Sequence, residues 1–142
     1  MVTLALYKAK GDVFNRLISW RTASPYSHCE LVHCGLSYSA SLRDGGVRVK
    51  AIDFDPASWD FIELPQASAE RLAAVMRETI GHRYDMLGCV LGRGLDAPIE
   101  DKTKWFCSEW CAHALGFSEP WRYSPAMLAS VFGAPKGLLA MA

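Results

Sequence analysis

Two side chains in this 142-residue chain stand where covalent chemistry would be supported, a cysteine at the start of a helical pattern and a histidine at the entry of a strand. Cys107 lies in Trp105-Phe106-Cys107-Ser108-Glu109-Trp110-Cys111, and His28 lies in Tyr26-Ser27-His28-Cys29-Glu30-Leu31-Val32. An unperturbed thiol, with a pKa of about 8.5, is only a few per cent ionised near neutral pH, and a helix amino terminus or an imidazolium lowers that value. The unpaired N–H groups of a helix starting at Cys107 would stabilise a thiolate and later an oxyanion. An imidazole within reach would take the thiol proton and return it to a leaving group.

A third polar group usually orients such an imidazole. Glu30 is the first candidate, because residues two apart on a strand share a face. Ser41 is the second, since a hairpin centred near Cys34-Gly35 sets it roughly opposite His28. Tyr26 and Tyr84 could lend a phenolic donor to an oxyanion or line the cleft, Asp85 could bind a substrate amine, and Trp105 would wall the cleft. Ser108 and Glu109 either touch substrate or simply favour the helix dipole. Cys29, Cys89 and Cys111 are expected as small core residues and Cys34 as part of the hairpin. His33, His82 and His113 are given no chemical role, and Trp20, Trp59, Trp110 and Trp121 are expected to pack.

The elements that must position these groups follow from periodicity. Thr3 to Tyr7 reads as a strand, and Asp12 can cap a helix running to Trp20 with Val13, Leu17 and Trp20 on one face. Cys29 to His33, Leu36 to Leu42 and Val47 to Ile52 form a three-strand meander broken by Cys34-Gly35 and Asp44-Gly45-Gly46, and Trp59 to Leu64 is a further strand. Ser68 caps a helix whose Leu72, Val75, Met76 and Ile80 recur at helical spacing before Gly81. Tyr84 to Leu91 is expected as a short helix and Gly92 to Lys104 as a loop. Phe106 to Leu115 is the nucleophile helix, ended by Gly116, and Ser124-Pro125 opens a last helix to Val131 or Phe132.

Composition narrows the class. One domain over residues 1–142 is expected, because this length supports one core and not two. A 51% hydrophobic content argues against disorder, and fifteen basic residues balanced by fifteen acidic ones give no field for a polyanion, so nucleic acid is not an expected partner. The odd count of five cysteines fits reduced thiols better than a disulfide framework. Met1 to Lys10 lacks the pattern of a signal peptide, and no window approaches the roughly 18 apolar residues of a membrane span. The expectation is a protein that is cytoplasmic as synthesised.

Tyr-Ser-His before a hydrophobic strand, then Arg83-Tyr84-Asp85 ahead of a loop, then Phe-Cys-Ser-Glu opening a helix, resembles the circularly permuted NlpC/P60-like cysteine peptidases over most of the chain. Papain-like enzymes usually present cysteine before histidine; here the order is reversed, as a permuted chain would have it. The resemblance implies an α+β, papain-like fold with an antiparallel sheet packed against helices, Cys107 as nucleophile and His28 as its base, and no cofactor. It also implies a peptide or acyl substrate, foremost an amide of bacterial peptidoglycan, with lipid or acyl-ester hydrolysis and acyl transfer as alternatives within the fold. A compact enzyme of this kind without a leader suits a phage, carried in the virion or released by lysis. Two other classes stay open: a non-catalytic ligand-binding module, and a structural zinc site drawn from His28, Cys29, His33, Cys34, Cys107, Cys111 and His113, although the paired CxxC knuckle is missing. The third catalytic position is unresolved between Glu30 and Ser41.

Overall fold

The computed structural model describes residues 1–8, 16, 24–86 and 102–133. Among them, seven strands form one sheet: β1 (Val2–Tyr7), β2 (His28–His33), β3 (Leu36–Ser41), β4 (Gly46–Lys50), β5 (Trp59–Leu64), β6 (Arg83–Tyr84) and β7 (Lys104–Trp105). Their order is β5-β1-β2-β3-β4-β6-β7, antiparallel throughout except for the parallel β6-β7 pair. Among the described residues, α1 (Ala69–Thr79), α2 (Cys107–Ala114) and α3 (Pro125–Phe132) are α-helices, and Pro120–Arg122 forms a 3-10 turn. The architecture is α+β, a mostly antiparallel sheet with helices against it.

The expected meander is present as β2-β3-β4, and its first turn is a two-residue hairpin with Cys34 at φ 49° and Gly35 at φ 75°. Both positive angles suit a turn whose twist matches that of its strands. Strand β5 does not extend the meander. It crosses to the far edge and pairs with β1 from Val2↔Leu64 to Tyr7↔Trp59.

Alternation along the strands separates two faces. Val2, Leu4, Leu6, Cys29, Leu31, Ala40, Val47, Ile62 and Leu64 are buried in one core with residues of the helices. Each Leu that is wholly buried there contributes roughly 2 kcal/mol of transfer free energy. Tyr7, Glu30, Ser41, Arg48, Lys50 and Trp59 belong to the opposite row.

Caps explain the helix limits. Ser68 Oγ accepts the Arg71 N–H at 3.1 Å and Ser124 Oγ accepts the Met127 N–H at 3.1 Å, while Gly81 and Gly116 follow α1 and α2 at φ 84° and 89°. Ile80, expected on the buried stripe of α1, is its C-cap and 56% exposed, because the chain leaves helical geometry before that stripe reaches it. Arg71 reaches from α1 to the carbonyls of His113 and Ala114, satisfying the last turn of α2. Trp110, wholly buried on α2, donates to Thr79 Oγ1 at 2.8 Å.

Tyr84, expected to open a helix, instead ends the strand Arg83–Tyr84, because Gly46 lets β6 approach β4 closely. A Cβ at Gly46, whose φ is 151°, would stand 1.9 Å from the His82 carbonyl oxygen. Met86 is helical and Asp85 is not; residues 87–91 of that expected helix, the expected helix from Asp12 to Trp20 apart from Arg16, and the loop at 92–101 lie outside the described residues. Lys104, placed at the end of that loop by the sequence, opens β7.

Candidate active site

Cys107 is the first residue of α2, and Phe106 precedes it in extended geometry. The Glu109 carboxylate accepts the Phe106 N–H at 3.4 Å, so Glu109 acts on the helix start. The Cys107 side chain faces β2. There it lies against His28 and Cys29, close enough for both to act on its ionisation. Cys107 is 2% exposed.

His28 is the first residue of β2, at the end of the sheet where the outer row and the helix layer meet. Its Nε2 lies 2.7 Å from Glu30 Oε1, which leaves Nδ1 as the nitrogen available to the thiol. The imidazole is one-fifth exposed, whereas the Glu30 side chain is 1% exposed. A buried carboxylate needs partners. Arg48 supplies them, crossing over β3 from β4 with Nη1 2.7 Å from Glu30 Oε2 and Nη2 on Oε1. Asp44 in turn accepts from Arg48 Nε at 2.7 Å and from Lys50 Nζ at 2.8 Å.

The groups therefore follow one another as Cys107 thiol, His28 imidazole, Glu30 carboxylate, Arg48 guanidinium, Asp44 carboxylate and Lys50 ammonium, an order in which charges alternate once the proton sits on the imidazole. Burial alone would lower the His28 pKa, but the Cys107 charge and hydrogen bond, followed by Glu30, outweigh it and raise it to about 10. For Cys107, hydrogen bonding from Cys29 is the largest influence; with the charge and hydrogen bond of His28 it overcomes burial and holds the thiol well below its ordinary value. Burial pushes Glu30 up, and Arg48 and His28 together bring it below the usual carboxylate range. Asp44 is lowered to about 2 by Lys50 and Arg48 against a desolvation cost. A thiolate beside an imidazolium is a nucleophile with its general acid already in place.

A cavity of about 280 Å³ opens on the outer face beside this line. Ser27, His28, Glu30, Ser41 and Tyr84 line it; so do the cationic Arg43, Arg48 and Lys50, and the apolar or aromatic Tyr7, Leu42, Ile52 and Trp59. The sequence reading set the cleft between sheet and nucleophile helix. This cavity lies over the outer sheet face, with His28 at its boundary and neither Cys107 nor Trp105 among its lining residues.

The β2-β3 register, Leu31↔Tyr38 to His33↔Leu36, continues to set Ser41 opposite His28, and Ser41 lines the cavity while Glu30 holds the imidazole. Tyr26 donates its hydroxyl to Asp60 at 2.6 Å, and burial with that bond drives its pKa up, so its proton is committed away from an oxyanion. Trp105 is 8% exposed, donates from Nε1 to His82 Nδ1 at 3.1 Å and lies over His113; its place is in the packing between β7 and α2. Asp85 and Ser108 are buried, Ser108 completely. Among the described residues no three His, Cys, Asp or Glu side chains form a group able to hold a metal ion.

Sequence reasoning missed three participants. Arg48 carries no local motif, and only strand register brings it to Glu30. Cys29 is in the core, as its type implies, yet it also lies against Cys107. Ser27 is 1% exposed, lines the cavity, and its Oγ has no hydrogen-bond partner among the described residues. No family model matches the chain, and no curated protein matches it in sequence.

Proposed function

We propose that this protein is a cysteine hydrolase with a permuted papain-like arrangement of the NlpC/P60 type, working through a thioacyl intermediate. The observation that carries the reading is the line Cys107–His28–Glu30, in which one imidazole is shared between a helix-start thiol and a buried carboxylate. The His-before-Cys order and the antiparallel sheet carrying the histidine agree with it.

The thiolate attacks a carbonyl carbon, and backbone N–H groups at the start of α2 receive the developing oxyanion. His28, already protonated, delivers its Nδ1 proton to the leaving nitrogen or oxygen as the tetrahedral intermediate collapses. It then takes a proton from water, and the resulting hydroxide displaces Cys107 from the thioester. Glu30 keeps the ring oriented and balances its charge, as the acid does in related triads. Substrate enters from the cavity past His28, the partly exposed member of the dyad.

The foremost substrate is an amide of a bacterial cell-wall peptide, reached by a phage particle or by lysis. A second reading, an acyl-ester substrate, is favoured by the apolar wall of Leu42, Ile52 and Trp59. The test is incubation with peptidoglycan fragments and, in parallel, with an activated acyl ester, followed by intact-mass detection of an acyl adduct on Cys107. Turnover lost in Cys107→Ser and in His28→Ala supports the reading; turnover that survives Cys107→Ser overturns it.

A further inference from the structure

Three thiols meet where β2 crosses α2. Cys107 and Cys111 are one helical turn apart on the same face of α2, and Cys29 on β2 lies against both. Cys111 Sγ donates to the Cys29 carbonyl at 3.9 Å, and the Cys29 thiol is close enough to the other two sulfurs for each to act on its ionisation. All three are 2% exposed or less. The hydrolytic mechanism uses one of them. Cys34, by contrast, is exposed in the β2-β3 turn and hydrogen bonds with His33.

We infer that Cys29 is the resolving thiol for an oxidised Cys107, so that a peroxide converts the pair into a reversible Cys29–Cys107 disulfide. Three features argue for it. Cys29 and Cys107 are packed side by side in one buried cluster, anchored by the Cys111 Sγ contact to the Cys29 carbonyl, so their sulfurs can approach the bonded distance of about 2.05 Å by side-chain rotation. Cys107 is the member paired with an imidazolium, so it is the one that reacts with an oxidant. Cys29 is held as a thiol by burial and by its two sulfur neighbours, and so stays reduced until Cys107 has reacted.

The steps balance. The Cys107 thiolate attacks a peroxide oxygen and the O–O bond breaks, giving a sulfenic acid and hydroxide, which takes the His28 proton and leaves as water. The Cys29 sulfur then attacks Cys107; the S–O bond breaks and the hydroxide departs as water with the Cys29 proton. Two thiol sulfurs lose two electrons together, and the peroxide gains them. The disulfide blocks hydrolysis and keeps Cys107 from the irreversible sulfinic state.

The inference rests on the reading of Cys107 as an ionised thiol, but its test needs no substrate. Reduced full-length protein is treated with hydrogen peroxide, quenched in acid with a thiol-blocking reagent and mapped by mass spectrometry. A Cys29–Cys107 linked peptide, about 2 Da lighter than its two reduced components and removed by dithiothreitol, is expected. Cys29→Ser, close in size to cysteine, should instead accumulate Cys107 about 32 Da heavier, with recovery by dithiothreitol lost. Cys107 sulfinate forming in the unsubstituted protein as fast as in Cys29→Ser, or a Cys29–Cys111 linkage with Cys107 unmodified, overturns the inference. A linked peptide in a protein that turns over neither acyl substrate leaves this inference standing and removes the hydrolase reading.

Discussion

Arg48 lays both terminal nitrogens on the carboxylate of Glu30, two strands away across the sheet. Paired forks of this kind are directional as well as strong, and they fix the plane of the acceptor. Because that same carboxylate holds His28 Nε2, the orientation of the imidazole is set from β4.

Removing the fork should therefore be felt in stability and in ionisation. Arg48→Met leaves Glu30 buried with half its partners and should lower unfolding free energy by about 3 kcal/mol, read from urea denaturation. Glu30→Gln removes the charge without changing the shape, and the thiolate absorbance of Cys107 at neutral pH should fall. Unchanged thiolate absorbance in Glu30→Gln would show that the carboxylate does not support the dyad.

The dyad predicts a flat-topped stability profile against pH. His28 is raised from 6.5 to about 10, and Cys107 is lowered from 9.0. Between pH 6.5 and 9.0 the folded pair holds one proton, on His28, and the unfolded pair also holds one, on the thiol, so the pair adds no slope. Below 6.5 the unfolded histidine also binds a proton and stability falls on acidification; above 9.0 the unfolded pair binds none, and the folded pair loses its advantage as pH rises through about 10. Melting temperatures across this range should show the alkaline decline, and Cys107→Ala should abolish it. A decline of equal size in that variant would contradict the ion pair.

Ser27 offers a separation of stability from activity. A buried hydroxyl without a partner costs about 1–3 kcal/mol, so Ser27→Ala should hold or raise the melting temperature. If the hydroxyl donates to bound substrate, turnover of an activated acyl ester should fall roughly tenfold, the loss of one transition-state hydrogen bond. Full activity in Ser27→Ala would assign the hydroxyl no part in the reaction.

Tyr26 should behave in the opposite way. Its hydroxyl donates to Asp60, which also accepts Lys8 Nζ at 2.7 Å, so Tyr26→Phe removes a charge-assisted bond. A loss of about 2 kcal/mol in unfolding free energy is expected with catalysis unchanged. An activity loss without a stability loss would return Tyr26 to the site.

Local signals were legible wherever local physics decides the outcome. Ser68 and Ser124 cap as their sequence contexts imply, Cys34-Gly35 turns the hairpin, and the spacing of His28 and Glu30 sets both on one strand face. Relations that depend on which strands become neighbours were not legible. No periodicity announces that β5 pairs with β1, that Arg48 meets Glu30 across β3, or that β6 is drawn into the sheet beside Gly46. The cavity shares that origin, since its lining comes from β1, β2, β3, β4, β5 and β6 as well as the turns between them.

Strand β2 serves both faces at once, with Cys29 and Leu31 toward the helices and Glu30 toward Arg48. Its pairing with β1, from Thr3↔Val32 to Tyr7↔His28, therefore fixes the contents of both faces together. A single residue inserted between His28 and Leu31 would exchange the two rows, sending a carboxylate among leucines and thiols into the charged line. Lengthening the Cys34-Gly35 turn would leave both rows untouched. Anyone grafting, shuffling or recoding this protein therefore has freedom at that hairpin tip and none in the four residues from His28 to Leu31.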